Sequence, residues 1–129
     1  MIAGVGVDLV EVARVKSALE NAKTGDRFRS RVFTEKEIEY CEGKRQGKYQ
    51  SYAGRFAAKE ALMKALGRGW SSEVNWLDIE ILAGPGGKPE VGLRNKTADL
   101  AQRLGIKQLS VSIAHTKSFA MAYLIAEQD

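Results

Sequence analysis

Four side chains in this 129-residue sequence have types and spacing that suit chemistry: Asp8, Glu60, Lys64 and His115. Glu60 raises the sharpest question. It lies in RFAAKEALMKALG, residues 55–67, a run rich in Ala and Leu that reads as a helix. At about 100° per residue, Glu60 falls among Ala53, Phe56 and Ala57, and Lys64 one turn later falls in the same apolar arc. A carboxylate turned into an apolar face is costly unless a cation meets it. Asp8 sits near the end of IAGVGVDLV, a strand with Val5, Val7 and Leu9 on one face and Gly4, Gly6 and Asp8 on the other. The two glycines leave room for another group to approach the backbone, or mark a strand kept thin for packing. Glu60 and Lys64 at i and i+4 also have the spacing of an ordinary helical ion pair, and a lone histidine is more often structural than catalytic. Read alone, these residues describe two carboxylates and a lysine able to gather at one divalent cation and a phosphate.

The elements that must position them follow from periodicity. Residues 2–10 alternate as a strand. Residues 11–22 carry Val12, Val15, Leu19 and Ala22 at helical spacing, with Arg14 and Lys16 off the apolar line. A loop is predicted through Thr24-Gly25-Asp26. Thr34 and Glu37 then form a capping box, with Phe33 and Ile38 placed as a hydrophobic staple, so FTEKEIEY opens a helix. GKRQGKYQ reads as a basic connector, and the long helix runs from about Tyr49 to Leu66, stopped by Gly67. After it, WLDIEIL alternates and GPGG turns into KPEVGL, a hairpin. Asn95 is expected to cap a short helix containing Leu100 and Leu104 and ended by Gly105. QLSVSIAH, with Leu109, Val111 and Ile113 inward, and FAMAYLIA are the last two strands, joined by a turn at TKS. One strand, a helical block, then mostly antiparallel strands around a short helix make a single α+β domain, with the sheet packed on the long central helix.

Composition narrows the function classes. The chain is long enough for one domain with a real core and too short for two ordinary ones. Apolar residues are 44% and charged residues 28%, and no run approaches the length of a membrane span. MIAGVGVDLVEVARV meets an acid at Asp8 and has no basic leader, so a signal peptide is not expected. The single cysteine, Cys41, cannot form an internal disulfide, which fits a reducing cytoplasm, and its acidic neighbours in EYCEGK argue against a nucleophile. The net charge of +4 is concentrated: Arg14, Lys16, Lys23, Arg27, Arg29 and Arg31 face only Glu20 and Asp26 across that stretch. Such a run is a solvated face or a docking surface for something acidic, protein or nucleic acid. A small basic nucleic-acid-binding α+β domain is the competing reading. No strand platform of interleaved aromatic and basic residues supports it, and it leaves Asp8 and Glu60 unexplained.

GVGVDLVEVAR near the start, GRFAAKEALMKALG in the middle and VSIAHTKSFAMA near the end resemble the three signatures of the holo-acyl-carrier-protein synthases. These are the short, single-domain members of the 4′-phosphopantetheinyl transferase superfamily. The order and spacing of the motifs agree over nearly the whole chain, and FTEKEIEY and GGKP also resemble family features. The resemblance implies transfer of the phosphopantetheine arm of coenzyme A to a serine of acyl carrier protein, with adenosine 3′,5′-bisphosphate as by-product. It implies that Asp8 and Glu60 are ligands of Mg²⁺ and that Lys64 contacts the pyrophosphate. His115 and Thr116 fall where the family touches the coenzyme A nucleotide, and Arg55 and Gly67 flank the helix where it contacts coenzyme A. Ala114 departs from the pattern, since many relatives carry Ser or Thr there. The resemblance further implies docking of the acidic carrier on the first helix, with Arg14 the best match, and a cytoplasmic homotrimer with its coenzyme A site between subunits. Mg²⁺ takes hard oxygens, commonly one or two carboxylates with phosphate and water, so a metal is the cation expected to meet Glu60. Lys64 would answer charge building on the phosphates, and a metal-bound water or Glu60 would accept the serine proton.

Overall fold

The computed structural model describes residues 1–129. The alternating N-terminal run forms β1 (Ile2–Glu11), and its glycine face is the covered one. The long helix α4 (Lys48–Leu66) lies directly on that face. A methyl group at Gly4 would collide with the carbonyl oxygen of Ala65, and one at Gly6 with that of Ala61. The glycines therefore serve the close approach of a helix backbone to a strand backbone. The space beside Asp8 is filled by the chain itself.

β1 pairs antiparallel with β5 (Phe119–Glu127), which pairs antiparallel with β4 (Gln108–His115), giving a sheet ordered β1-β5-β4. Ala120, Ala122, Leu124 and Ala126 of β5 turn inward and are buried. Leu109, Val111 and Ile113 of β4 pack against the same core. The small residues of β5 admit α4 closely, as the glycines of β1 do. The expected hairpin is β2 (Ile79–Ala83) with β3 (Pro89–Leu93), a separate two-stranded sheet turning through Gly86 and Gly87, both with positive φ.

On the other side of α4 lie the short helices. α1 (Val12–Glu20) buries Val12, Val15 and Leu19 as its periodicity predicts, but it ends before Ala22, which is exposed in the turn that follows. The segment after it is not a simple loop: α2 (Gly25–Val32) starts at Gly25, inside the expected turn. Thr-Gly-Asp carries turn chemistry, but Gly25 is needed because a Cβ there would strike Leu19 O, and Phe28 and Val32 supply a packing face. α3 (Glu35–Glu42) opens with the predicted capping box, Glu37 N–H donating to Thr34 Oγ1 at 3.2 Å and Thr34 N–H to Glu37 Oε1 at 2.8 Å. Gly67 ends α4 in the left-handed conformation, φ 72°, with Arg68 N–H donating to Met63 O at 3.0 Å.

Asn95 does not cap α5 (Asn95–Arg103): it is the first helical residue, at φ 54°, and its amide donates instead to Asp78 Oδ1 at 3.0 Å. Asparagine tolerates that left-handed backbone, which is why it marks the boundary without serving as the cap. The architecture is α+β in one domain, with α4 between sheet and short helices.

Candidate active site

Two backbones in contact bring Asp8 and Glu60 together. Asp8 projects from the covered face of β1 and Glu60 from α4, and both line a cavity of about 530 Å³ with Arg14, Phe28, Phe56 and Phe119. Burial pushes the Glu60 carboxyl above its ordinary value, the charge of Asp8 pushes it further, and Lys64 opposes both. The apolar arc around Glu60 is real: it is the wall of a cleft, built by Phe28 packed on Phe56 at 6.1 Å between ring centres and by Phe56 stacked on Trp76 at 5.3 Å.

Lys64 does not lie in that arc. It sits at the rim with its side chain 55% exposed, crosses to β1, and donates to Asp8 Oδ1 and Val7 O, both at 3.0 Å. The surface pair with Glu60 that its spacing allows is not made. One turn of helix brings the lysine level with the strand, where a carboxylate and a backbone carbonyl accept from it together. Lys64 nevertheless lines a second cleft with Glu60, Gly67 and Trp70, so the two catalytic candidates and Gly67 share one surface.

No group of three or more Asp, Glu, His or Cys side chains is placed to hold a metal ion by itself. Asp8 and Glu60, the two expected ligands, share one cavity and would leave the remaining positions of a divalent cation to other oxygens. That suits Mg²⁺, which commonly takes one or two protein carboxylates and completes its octahedron with phosphate oxygens and water. The Asp8 charge that helps to raise the Glu60 carboxyl is also one that a divalent ion between the two would relieve.

The remaining predicted residues lie apart from these. Arg55 is buried one and a half turns before Glu60, with its guanidinium 4.1 Å over the Tyr40 ring and Nη1 donating to Ser51 Oγ at 3.2 Å. Its Nε is buried with no acceptor in the chain. Exposed His115, at the end of β4, lines a separate pocket with Arg55, Tyr40 and Lys44. Thr116 is committed to the β4–β5 turn, its Oγ1 accepting from Ser118 and Phe119 N–H groups at 3.2 and 3.0 Å. A single chain thus presents the site candidates in two groups: the metal-ligand candidates Asp8 and Glu60 with Lys64 and Gly67 in one, Arg55 and His115 in the other.

Arg14 is exposed on α1, off its buried line, and borders the same cavity as Asp8 and Glu60. Of the other basic residues, Arg29 is tied to Asp26 at 3.1 Å and approaches Glu42 at 3.8 Å, Arg31 rests over Trp70, and Lys23 and Arg27 are exposed. Cys41 is buried with Sγ 3.3 Å from Ser51 Oγ, and its thiol is held up mainly by burial, with the neighbouring acids a lesser cause. Sequence reasoning missed Phe28 and Trp76 as walls of the cleft, because each reads as core until α2 and the turn at Trp76–Asp78 are placed. It also missed Tyr40 and Lys44 beside Arg55, for which the sequence carries no signal.

Residues 4–124 match the 4′-phosphopantetheinyl transferase superfamily, to which the chain belongs. Its relatives place it more narrowly. The holo-[acyl-carrier-protein] synthase of Ruminiclostridium cellulolyticum is 48% identical over 120 residues, covering 93% of this chain and 88% of that protein. The holo-[acyl-carrier-protein] synthase of Helicobacter pylori, solved in complex with coenzyme A, superposes with a TM-score of 0.82 at 33% identity, over 95% of this chain and 99% of that one. The Bacillus anthracis enzyme, solved with coenzyme A (3′,5′-ADP), gives 0.81 at 35% identity, over 100% and 99%. Within the superfamily the chain falls with the holo-[acyl-carrier-protein] synthases.

Proposed function

We propose that this chain transfers the 4′-phosphopantetheine arm of coenzyme A to a serine of apo acyl carrier protein, releasing adenosine 3′,5′-bisphosphate. The observation that carries the reading is the juxtaposition of Asp8, Glu60 and Lys64, with Glu60 shared by two adjoining clefts and Lys64 bonded to Asp8, in a chain of this family whose solved relatives include coenzyme A complexes. Asp8 and Glu60 would hold Mg²⁺, which when bound supplies positive charge to the pyrophosphate. Lys64, fixed between Val7 and Asp8, stands where its ammonium can meet charge that grows on the phosphate oxygens as the bridging bond breaks. Glu60, which lines the cleft with Asp8, is the chain's own acceptor for the serine proton. The aromatic wall of Phe28, Phe56 and Trp76 keeps water from that side of Glu60.

The same reading includes a homotrimer. Val5, Val7, Leu9, Phe119, Met121 and Tyr123 stand together on the outer face of the sheet, each 42–63% exposed, in register across β1 and β5. A contiguous apolar face of that kind calls for a partner. A neighbouring subunit covering it would also supply Arg55 and His115 to the nucleotide half of each site, giving the acceptor-less Arg55 Nε a phosphate to meet. No helix is long and apolar enough to cross a membrane, and the unpaired Cys41 thiol suits the cytoplasm.

The test is incubation with coenzyme A, Mg²⁺ and apo acyl carrier protein, followed by mass spectrometry of the carrier. A gain of one phosphopantetheine is expected with the wild-type chain, and none after chelation of the metal or with Asp8→Ala or Glu60→Ala. An unmodified carrier after long incubation with the folded wild-type chain would overturn the reading.

A further inference from the structure

Lys59 immediately precedes Glu60 and points about 100° away from it around the helix. Its side chain is 0% exposed, deep in a core where a charged group is costly. We propose that Lys59 is a positioning residue for the transfer: its ammonium clasps the walls of the cleft to the helix that carries Glu60. This rests on the function proposed above.

The ammonium has three donors, and each has its acceptor. Lys59 Nζ donates to Val32 O at 2.6 Å and to Trp76 O at 3.0 Å, and it pairs with Glu37 Oε1 at 2.7 Å. Those acceptors belong to three separate segments. Val32 is the last residue of α2, Trp76 opens the turn before β2, and Glu37 is in α3. Two of the three are the segments that wall the cleft, through Phe28 beside Glu60 and through Trp76 stacked on Phe56. Glu37 extends the clasp to β2, since its Oε2 accepts from Ile81 N–H at 2.7 Å.

The walls need such a tie. α2 has eight residues and no side-chain N-cap, too short to persist without tertiary support. A methionine would fill the volume of Lys59, but it would donate to neither carbonyl and would leave Val32 and Trp76 free to drift from α4. Transfer is sensitive to displacements of an ångström at the reacting groups, so drift of the walls reaches the reaction through Glu60.

The experiment compares Lys59→Met with a Leu100 variant (Ala or Val) chosen to match its melting temperature. Leu100 is buried in the other part of the core, on α5. Both are assayed well below their melting points, with Mg²⁺, coenzyme A and carrier saturating in turn. For Lys59→Met, kcat is expected to fall by about tenfold or more while KM for coenzyme A stays within about threefold, the split expected when geometry rather than binding is lost. The Leu100 variant should retain kcat within about twofold, although it is equally destabilised. Acrylamide quenching of Trp76, the one remaining tryptophan in a Trp70→Phe background, should increase in Lys59→Met and not in the Leu100 variant. If Lys59→Met does not fold, Lys59→Gln carries the same comparison, since it is one atom shorter and reaches one carbonyl at most. Equal kcat and equal quenching in the Lys59 and Leu100 variants would reduce the lysine to a structural ion pair and overturn the proposal. A wild-type chain that leaves the carrier unmodified would sink the function instead, and the quenching comparison would still decide the clasp.

Discussion

At the scale of single residues, surroundings separate groups of the same type. Two lysines five positions apart on α4 have opposite environments: Lys59 is sealed in the core and Lys64 stands at the rim of the cleft. Lys64→Ala should therefore leave stability nearly unchanged and lower kcat more than it raises KM for coenzyme A, because the phosphate charge it answers grows toward the transition state. Steady-state kinetics with varied coenzyme A check this; a raised KM with unchanged kcat would make Lys64 a binding residue only. Tyr52 offers a pH-dependent counterpart away from the site. Its buried hydroxyl donates to Glu42 Oε2 at 2.7 Å, and that bond, ahead of Lys48 and Arg29, holds the Glu42 carboxyl below its usual value. A lowered carboxyl stabilises the fold above its unfolded value and loses that contribution as pH falls through its folded one. Tyr52→Phe should thus cost about 1 kcal/mol near neutral pH, less than is usual for a charged acceptor because Glu42 is partly solvated. The difference from wild type should shrink below about pH 4. Urea unfolding at the two pH values measures it.

At the scale of elements, periodicity located most of the scaffold. The long helix, the capping box at Thr34 and Glu37, the GPGG hairpin and the two closing strands all stand where their patterns put them. Three features escaped because the deciding contact lies in how elements pack on one another. Gly4 and Gly6 read as open space beside Asp8, and only the docking of α4 shows that a helix backbone occupies it. Thr24-Gly25-Asp26 reads as a turn because its glycine answers to Leu19, within a helix pair that local pattern does not reveal. Lys64 reads as part of an apolar arc because a helical wheel does not show that β1 passes beside it. Asp8 and Glu60 were legible as carboxylates in search of a cation, but their partnership came from family resemblance and then from the shared cavity. α1 met its expectation, burying Val12, Val15 and Leu19 and presenting Arg14 beside that cavity. An exposed arginine facing an acidic partner acts mainly on the association rate and is screened by salt. Arg14→Glu should raise KM for acyl carrier protein by about tenfold or more at low salt and leave KM for coenzyme A unchanged. Unchanged carrier kinetics would return α1 to a merely solvated face.

For the whole molecule, the decisive feature is the outer sheet face. Val7 lies opposite Tyr123 and Leu9 opposite Met121 across β1 and β5, so one charged substitution there disturbs a continuous surface. Tyr123→Glu should convert a trimer to monomers in light scattering while leaving the circular dichroism of the fold intact, and transfer activity should be lost with it. A wild-type chain that is monomeric at assay concentration and fully active would refute the assembly. The division of the site candidates into two groups has a genetic consequence. Subunits carrying Asp8→Ala keep an intact Arg55 side, and subunits carrying Arg55→Ala keep an intact Asp8 side. If neighbouring subunits complete each other's sites, two preparations that are each inert should revive one another when unfolded and refolded together. Random assortment into cyclic trimers would leave about a quarter of the junctions with both halves wild type. Two dead proteins would then sum to a living one, an interallelic complementation that no chain working alone could show.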